Sequence, residues 1–410
     1  MKYAERKVKP EAVINVGIGN VSLPTNPAMM DRMFHLDAPG SPFNKGVVRY
    51  TATGGFDETK DAFINILKSQ GFDTSKLQVL VTDGGSTAME LLIVGVCGPA
   101  GSSEKPLMMI DPAYTNYISF AERLGRKTVT VKRKMNVDGK FDLPELSTIE
   151  AVIKESKPAA LLVIPYDNPT GQLYDMTTMK ALAELCVKYN LWMVSDEAYR
   201  ELFYVDNPEL VSIWGITDKE VPGIEGRRIG IETASKVWNA CGLRIGAIVT
   251  DSPEFANRCQ AEYTANLCAN AIGQYIFGAL AHQSKEELNN WCRDLRNYYG
   301  DTIKRVSARF KELEPRLIIS SPDASIYSVI DVRDVVKPGF DSIDFTLFCA
   351  GEGVVDMDGV STTLLCAPMK GFYDIPAGEA NPGSTQFRIN YYYLKITAAK
   401  DSIFAPISNS

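Results

Sequence analysis

The sequence predicts an α/β fold, with a mostly parallel mixed sheet of seven strands covered by helices and a smaller α+β domain beside it. Three observations carry this expectation. At 410 residues and 45% hydrophobic, the chain exceeds what one hydrophobic core usually carries. From about residue 77 to 250, short β-rich runs alternate with helical stretches, the pattern of helices laid over parallel strands. Several of those runs are almost continuously apolar, as strands buried on both faces must be.

In order, the expected strands are LQVLVTDG, PLMMID, TVTVKR, ALLVIPY, WMVSDEAY, RRIGIETAS and LRIGAIVTD. Between them STAMELLIVGVCG, TNYISFAERLG and TTMKALAELCVKYN space their apolar residues as helices do. Only the short connector Lys236 to Gly242 separates the last two strands. A parallel crossover needs a dozen or more residues, so this pair is expected antiparallel and the sheet mixed. Residues 252–313 read as largely helical, with a long connecting helix. The tail offers RLIIS, SIYSVIDV, TTLLCAP and QFRINYYY as strands of the second domain. The first 45 residues, rich in Pro, Gly and Asn, are expected to wrap onto it. The division is then a large domain over 46–290 and a small domain formed by 1–45 and 291–410.

A net charge of −7 points away from nucleic acid and from anionic membrane surfaces. The densest basic run, Lys132-Arg133-Lys134, reads as a solvated strand end. Eight cysteines without a Cys-x-x-Cys pair suit buried thiols in a reducing cytoplasm. The N-terminus lacks the apolar region of a signal peptide, and no stretch is apolar enough to span a membrane. With only His35 and His282, zinc and Ser-His-Asp chemistry are disfavoured and no metal site is expected. Acid–base work then falls to Lys, Tyr, Asp or a cofactor.

Candidate residues lie after predicted strands. Lys236, in Thr233-Ala234-Ser235-Lys236, is an ordinary surface lysine if read alone, but a partly desolvated lysine beside a cofactor forms imines. Arg244, entering the next strand, calls for an anion. Asp196 ends an apolar strand, so its carboxylate should be buried and want a cation; a protonated pyridine nitrogen is one candidate. Tyr199 lies three residues on, within reach of the same pocket. Asn168, in Asn168-Pro169-Thr170-Gly171, is a turn residue by composition or an amide donor to a phenolate-like oxygen. Gly85, Ser86 and Thr87 open a helix after a strand and make either an anion cradle or a plain cap. Tyr114 stacks on a flat ring or fills the core, and Arg388 grips a carboxylate or sits at the surface.

The order of these signals resembles the class I/II aminotransferases of pyridoxal 5′-phosphate (PLP) fold type I, aspartate-aminotransferase-like, from about Gly17 to Arg388. That resemblance implies a Schiff base on Lys236, which also moves the proton between the substrate α-carbon and the cofactor. Asp196 would pair with the pyridinium nitrogen, Asn168 and Tyr199 with the ring 3-oxygen, and Tyr114 with the ring face. Gly85, Ser86, Thr87, Ser235 and Arg244 would hold the phosphate, and Arg388 the substrate carboxylate. Gly19 would lie near the substrate. Tyr50 matches a tyrosine that reaches the neighbouring subunit's phosphate, which implies a homodimer with shared active sites. The implied reaction passes an amino group from an L-amino acid to a 2-oxo acid by a ping-pong cycle. Aspartate or another common amino acid is the expected donor, although Ser86 stands where some dicarboxylate-preferring relatives have a lysine. A carbon–sulfur lyase or aminocyclopropane-carboxylate-type synthase would use the same lysine. A regulator built on this domain is disfavoured by the absence of a basic helix-turn-helix ahead of Tyr50.

Overall fold

The computed structural model describes residues 13–391 apart from 22, 100, 102–103, 207–208, 321 and 377. The charged N-terminus, the end of the QFRINYYY run and the tail after it therefore lie outside the described residues. The first strand is β1 (Val13–Asn15). The central sheet comprises β2 (Gln78–Thr82), β3 (Leu107–Asp111), β4 (Thr128–Lys132), β5 (Ala160–Val163), β6 (Trp192–Asp196), β7 (Arg228–Thr233) and β8 (Gly246–Thr250). Its order is β2-β8-β7-β6-β5-β3-β4. Strands β3 to β7 pair in parallel, and β8 runs antiparallel to both β2 and β7, as the short connector requires.

This topology sets the location of the site. The parallel strands and β2 end on one edge of the sheet, and β8 starts on that edge. The β7–β8 connector carrying Lys236 therefore lies beside the turns after Thr82, Asp111, Val163 and Asp196. Strand C-termini in such sheets are where ligands bind. Every residue of β3, β5, β7 and β8 is buried, because helices cover both faces. One face packs on Leu92, Tyr117, Phe255 and Tyr263, the other on Leu67, Leu182, Trp214 and Phe277.

Several expected elements are shorter than their apolar runs. The chain leaves the sheet after Val163, and Tyr166 makes only an isolated bridge to Leu173. The expected helical region resolves into Pro253–Tyr263, Ala271–Gly278 and a 29-residue helix, Lys285–Leu313. The long helix starts with a capping box in which Ser284 and Glu287 satisfy each other's backbone N–H.

The remaining strands are β9 (Ile318–Ile319), β10 (Tyr327–Asp331), β11 (Val355–Met357), β12 (Val360–Leu365), β13 (Ala367–Pro368) and β14 (Gln386–Asn390). One sheet has the order β13-β14-β10-β9; the other is β1-β12-β11. The expected strand TTLLCAP is thus divided between two sheets. β1 joins β12, but the next helix, Pro27–Phe34, packs on Ala271–Gly278 and ties Arg32 to Glu58 at 2.7 Å. The first 45 residues therefore reach both parts of the molecule. The expected boundary at 290/291 falls inside the continuous helix Lys285–Leu313.

One charge expectation is corrected. Lys134 is exposed, but Arg133 is among the most buried large side chains, with Nη2 2.7 Å from Asp167 Oδ2 and donating to Pro112 O at 2.8 Å. β4 ends at Lys132, so the next residue turns inward across the end of β3 and meets a carboxylate from the turn after β5. Among the described residues, no helix is long and apolar enough to cross a membrane.

Candidate active site

The strand edge opens into a cavity of about 510 Å³. Gly85, Ser86, Ser235 and Arg244 line it, as do Tyr114, Asn168, Asp196, Tyr199, Lys236, Gly19 and Arg388. The fold thus brings together residues from position 19 to position 388. Thr87 is not among the lining residues; its hydroxyl turns back to Asp83 O at 3.3 Å within the helix. Tyr50 is also apart, with 79% of its surface exposed.

The anion end of the cavity is built by close backbone approach. Gly84 has φ +77° and opens the helix Gly84–Cys97; a Cβ there would come 2.5 Å from Arg244 Nη2. Arg244 does not enter β8 as expected. That strand begins at Gly246, and Arg244 is exposed on the preceding turn with φ +54°, its Nη1 donating to Cys241 O at 2.9 Å. A non-glycine residue held in this left-handed region is the kind of strain that collects at ligand sites. Thr233 Oγ1 donates to Ser235 Oγ at 2.8 Å and fixes the serine beside it.

In the middle of the cavity, Asp196 ends β6 and is 4% exposed, with Oδ2 accepting from Tyr117 Oη at 3.2 Å and Oδ1 from Ala198 N at 3.1 Å. Burial pushes its carboxyl up to about 6. Beneath it, Arg200 bridges Glu232 at 2.5 Å and Glu197 at 3.3 Å, while Glu197 also accepts from Ser195, Ser212 and Ile213 N. This buried network locks the turn after β6 to β7 and thereby sets the positions of both Asp196 and Tyr199. Burial and the neighbouring Tyr327 raise the Tyr199 phenol well above its ordinary range, so it stays a proton donor. Burial also pushes Tyr114 up to about 12. Lys236 Nζ donates to Gly19 O.

At the far end, Arg388 lies on β14 and is only 7% exposed. Its Nη1 donates to Asn168 Oδ1 at 2.9 Å and its Nη2 to Gly17 O at 2.7 Å. Asn168 thereby uses its carbonyl oxygen on the arginine and keeps its NH₂ as a donor.

Sequence reasoning missed Tyr117, which donates to Asp196, and Tyr327 and Phe372, which line the cavity with their rings against the Arg388 guanidinium. Tyr117 follows Tyr114 by three residues across the start of the helix Asn116–Arg123, with the two rings edge to face at 6.3 Å, and this spacing of two tyrosines could have flagged it. Tyr327 carries no local signal, since its place depends on pairing between distant strands.

These residues fit pyridoxal phosphate. A buried carboxylate raised by desolvation suits a ring nitrogen that gains a proton, and the glycine cradle under Arg244 suits a phosphate. Fold and site together define an α/β protein whose strand edge gathers a lysine amine, a buried carboxylate and two arginines around one cavity. Residues 11–355 match the family described as aminotransferase class I and II. The chain belongs to that family, whose members depend on pyridoxal phosphate. It is 28% identical over 278 residues to an aspartate aminotransferase of Sulfurisphaera tokodaii, covering 67% of this chain and 64% of that protein, just under two thirds of its length. It is 25% identical over 347 residues to a probable aspartate aminotransferase of Methanocaldococcus jannaschii, covering 80% and 84%. Among solved structures, N-succinyldiaminopimelate aminotransferase of Mycobacterium tuberculosis superposes with TM-score 0.75 at 22% identity, covering 92% of this chain and 88% of that one. Aspartate aminotransferase of Thermus thermophilus with maleate gives TM-score 0.75 at 19% identity, covering 95% and 90%. At these identities the superpositions show the fold alone.

Proposed function

We propose that this protein binds pyridoxal phosphate on Lys236 and moves an amino group between an L-amino acid and a 2-oxo acid. The observation that carries it is one cavity holding a lysine amine, a buried carboxylate and two arginines. When bound, the cofactor supplies an electron sink for the bonds of the substrate α-carbon. Asp196 keeps the ring nitrogen protonated. Asn168 and Tyr199 donate to the ring oxygen, and Tyr114 covers the ring. Gly85, Ser86, Ser235 and Arg244 receive the phosphate, with Thr87 contributing from the helix N-terminus. Arg388 takes the substrate carboxylate, and the Lys236 amine carries the proton to and from the α-carbon. The cations lining the cavity, among the described residues, are Lys236, Arg244 and Arg388, each already assigned. Aspartate is one candidate donor, supported by the relatives' names. We also propose a homodimer in which Tyr50 completes the neighbouring site. The division into a large domain over 46–290 and a small domain from 1–45 and 291–410 is proposed with an amendment: the helix Pro27–Phe34 belongs with the large one.

The test is a panel of L-amino acids added singly to the cofactor-loaded protein while its visible band is followed. Loss of the band, release of one 2-oxo acid per site and recovery on adding a second oxo acid are expected. Continuous release of ammonia without an acceptor would make it a lyase. Borohydride should fix the cofactor to wild type and not to Lys236→Ala; fixation in the variant would place the anchor elsewhere.

A further inference from the structure

Tyr327 has no role in the scheme above, yet it touches three of the groups that scheme uses. It opens β10 and is 2% exposed. In the β10–β14 register Tyr327 lies opposite Asn390 and Val329 opposite Arg388, so Tyr327 and Arg388 share a face as diagonal neighbours. Long side chains in that relation reach one another. The Arg388 guanidinium lies 4.3 Å from the Tyr327 ring centroid and 5.0 Å from that of Phe372. Two aromatic rings therefore flank the guanidinium, while Asn168 and Gly17 hold its nitrogens. The Tyr327 hydroxyl is 2.7 Å from the Tyr199 hydroxyl, with the two rings edge to face. The same hydroxyl presses on the N-terminal segment: a Cβ at Gly19 would lie 1.9 Å from it. Gly19 is also the residue whose carbonyl accepts from Lys236.

We propose that Tyr327 is a positioning residue that joins the carboxylate clamp to the cofactor-facing phenol, its ring fixing Arg388 and its hydroxyl fixing Tyr199. This rests on the assignment of Tyr199 to the ring oxygen and Arg388 to the substrate carboxylate. Tyr199 has one proton, and if that proton points at the ring oxygen, the Tyr327 hydroxyl must be the donor between the two phenols. Donation into Tyr199 polarises its O–H and strengthens its own donation. A weaker donor at the ring oxygen would leave more negative charge beside the lysine nitrogen, which would then hold its proton to higher pH. The two functions of Tyr327 are separable, because one belongs to the hydroxyl and the other to the ring.

The test compares Tyr327→Phe with Tyr327→Leu in the cofactor-loaded protein, using an amino acid that converts the visible band. Tyr327→Phe should keep KM within about twofold, since the ring face remains. It should move the titration midpoint of the visible band upward by about half a pH unit. Tyr327→Leu should show the same midpoint shift and raise KM about tenfold. In a Tyr199→Phe background, Tyr327→Phe should produce no further shift. A wild-type midpoint in Tyr327→Phe, equal KM increases in both variants, or an undiminished shift in the Tyr199→Phe background would each overturn the proposal. Should the leucine variant fail to fold, the phenylalanine titration and its double-variant comparison still decide. Failure of the underlying assignment gives a different result: Tyr199→Phe alone would leave the midpoint at its wild-type value, and Arg388→Ala would leave KM unchanged.

Discussion

Asp196 is kept at a cost that the bare protein must bear. Its carboxyl is pushed up to about 6 by burial, above its unfolded value of about 3.8. A carboxyl with a raised folded value binds its proton more tightly when folded, so the protein loses stability as pH rises from about 4 through 6. The difference corresponds to about 3 kcal/mol once both states are ionised, an upper figure. Asp196→Asn keeps Oδ1 as the acceptor for Ala198 N and replaces Oδ2 with an NH₂ that can donate to the Tyr117 hydroxyl, but it carries no charge. Freed of cofactor, this variant should be more stable than wild type at pH 8, by an amount that shrinks as pH falls toward 4. Urea melts at the two pH values measure this, and a pH-independent difference would mean that something other than Asp196 ionisation separates the proteins. The burial of Asp196 was legible because the residue ends an apolar strand. Arg133 was not legible, because its neighbours Lys132 and Lys134 make it look solvated while its partner Asp167 lies in the turn after β5, two strands away in the sheet. Single residues were readable where burial follows from the local run and unreadable where a distant partner decides it.

At the scale of elements, the β7–β8 connector is held from outside. Thr25 Oγ1 donates to Trp238 O at 2.7 Å, Asn239 Nδ2 to Pro24 O at 3.3 Å, and Trp291 Nε1 to Val237 O at 2.8 Å. Trp291 also stacks on Trp238, with centroids 6.3 Å apart and planes 7° apart. The long helix Lys285–Leu313 therefore buttresses the lysine loop from its first turns. Trp291→Phe retains a ring but removes the only N–H it offers the loop, which should cost about 1–3 kcal/mol. It should also hasten loss of the cofactor, measured as decay of the visible band after dilution into apo-scavenging buffer. Ser284→Ala is the control: it removes a cap from the same helix at about 1 kcal/mol and should leave the cofactor rate unchanged. Equal rates in both variants would show that the loop holds its shape without Trp291. Each of the seven central strands and the antiparallel end pair could be read from periodicity and connector length. The split of TTLLCAP between two sheets could not, because β1 and β14, which claim its halves, come from opposite ends of the chain.

For the whole molecule, the question is what meets the exposed segment around Tyr50. Val47, Val48 and Tyr50 are 51%, 58% and 79% exposed in the single chain, on a stretch with no strand or helix of its own. Three neighbouring exposed apolar side chains are a natural seam for a second copy, and a two-fold dimer would use the seam twice. If Tyr50 serves the partner's cavity, the defects Tyr50→Ala and Lys236→Ala should complement each other when carried on different chains. In a hybrid dimer, the chain with intact Lys236 receives Tyr50 from the Lys236→Ala chain, and one site is whole. Random reassortment of equal amounts makes roughly half the dimers hybrid, so roughly a quarter of all sites should regain wild-type activity. If Tyr50 instead serves its own chain's cavity, each site in the hybrid keeps one defect and mixing restores nothing. Denaturing and refolding the two variants together, against the same variants refolded apart and then combined, separates reassortment from simple addition. Restoration only after joint refolding would establish both the dimer and the sharing of its sites.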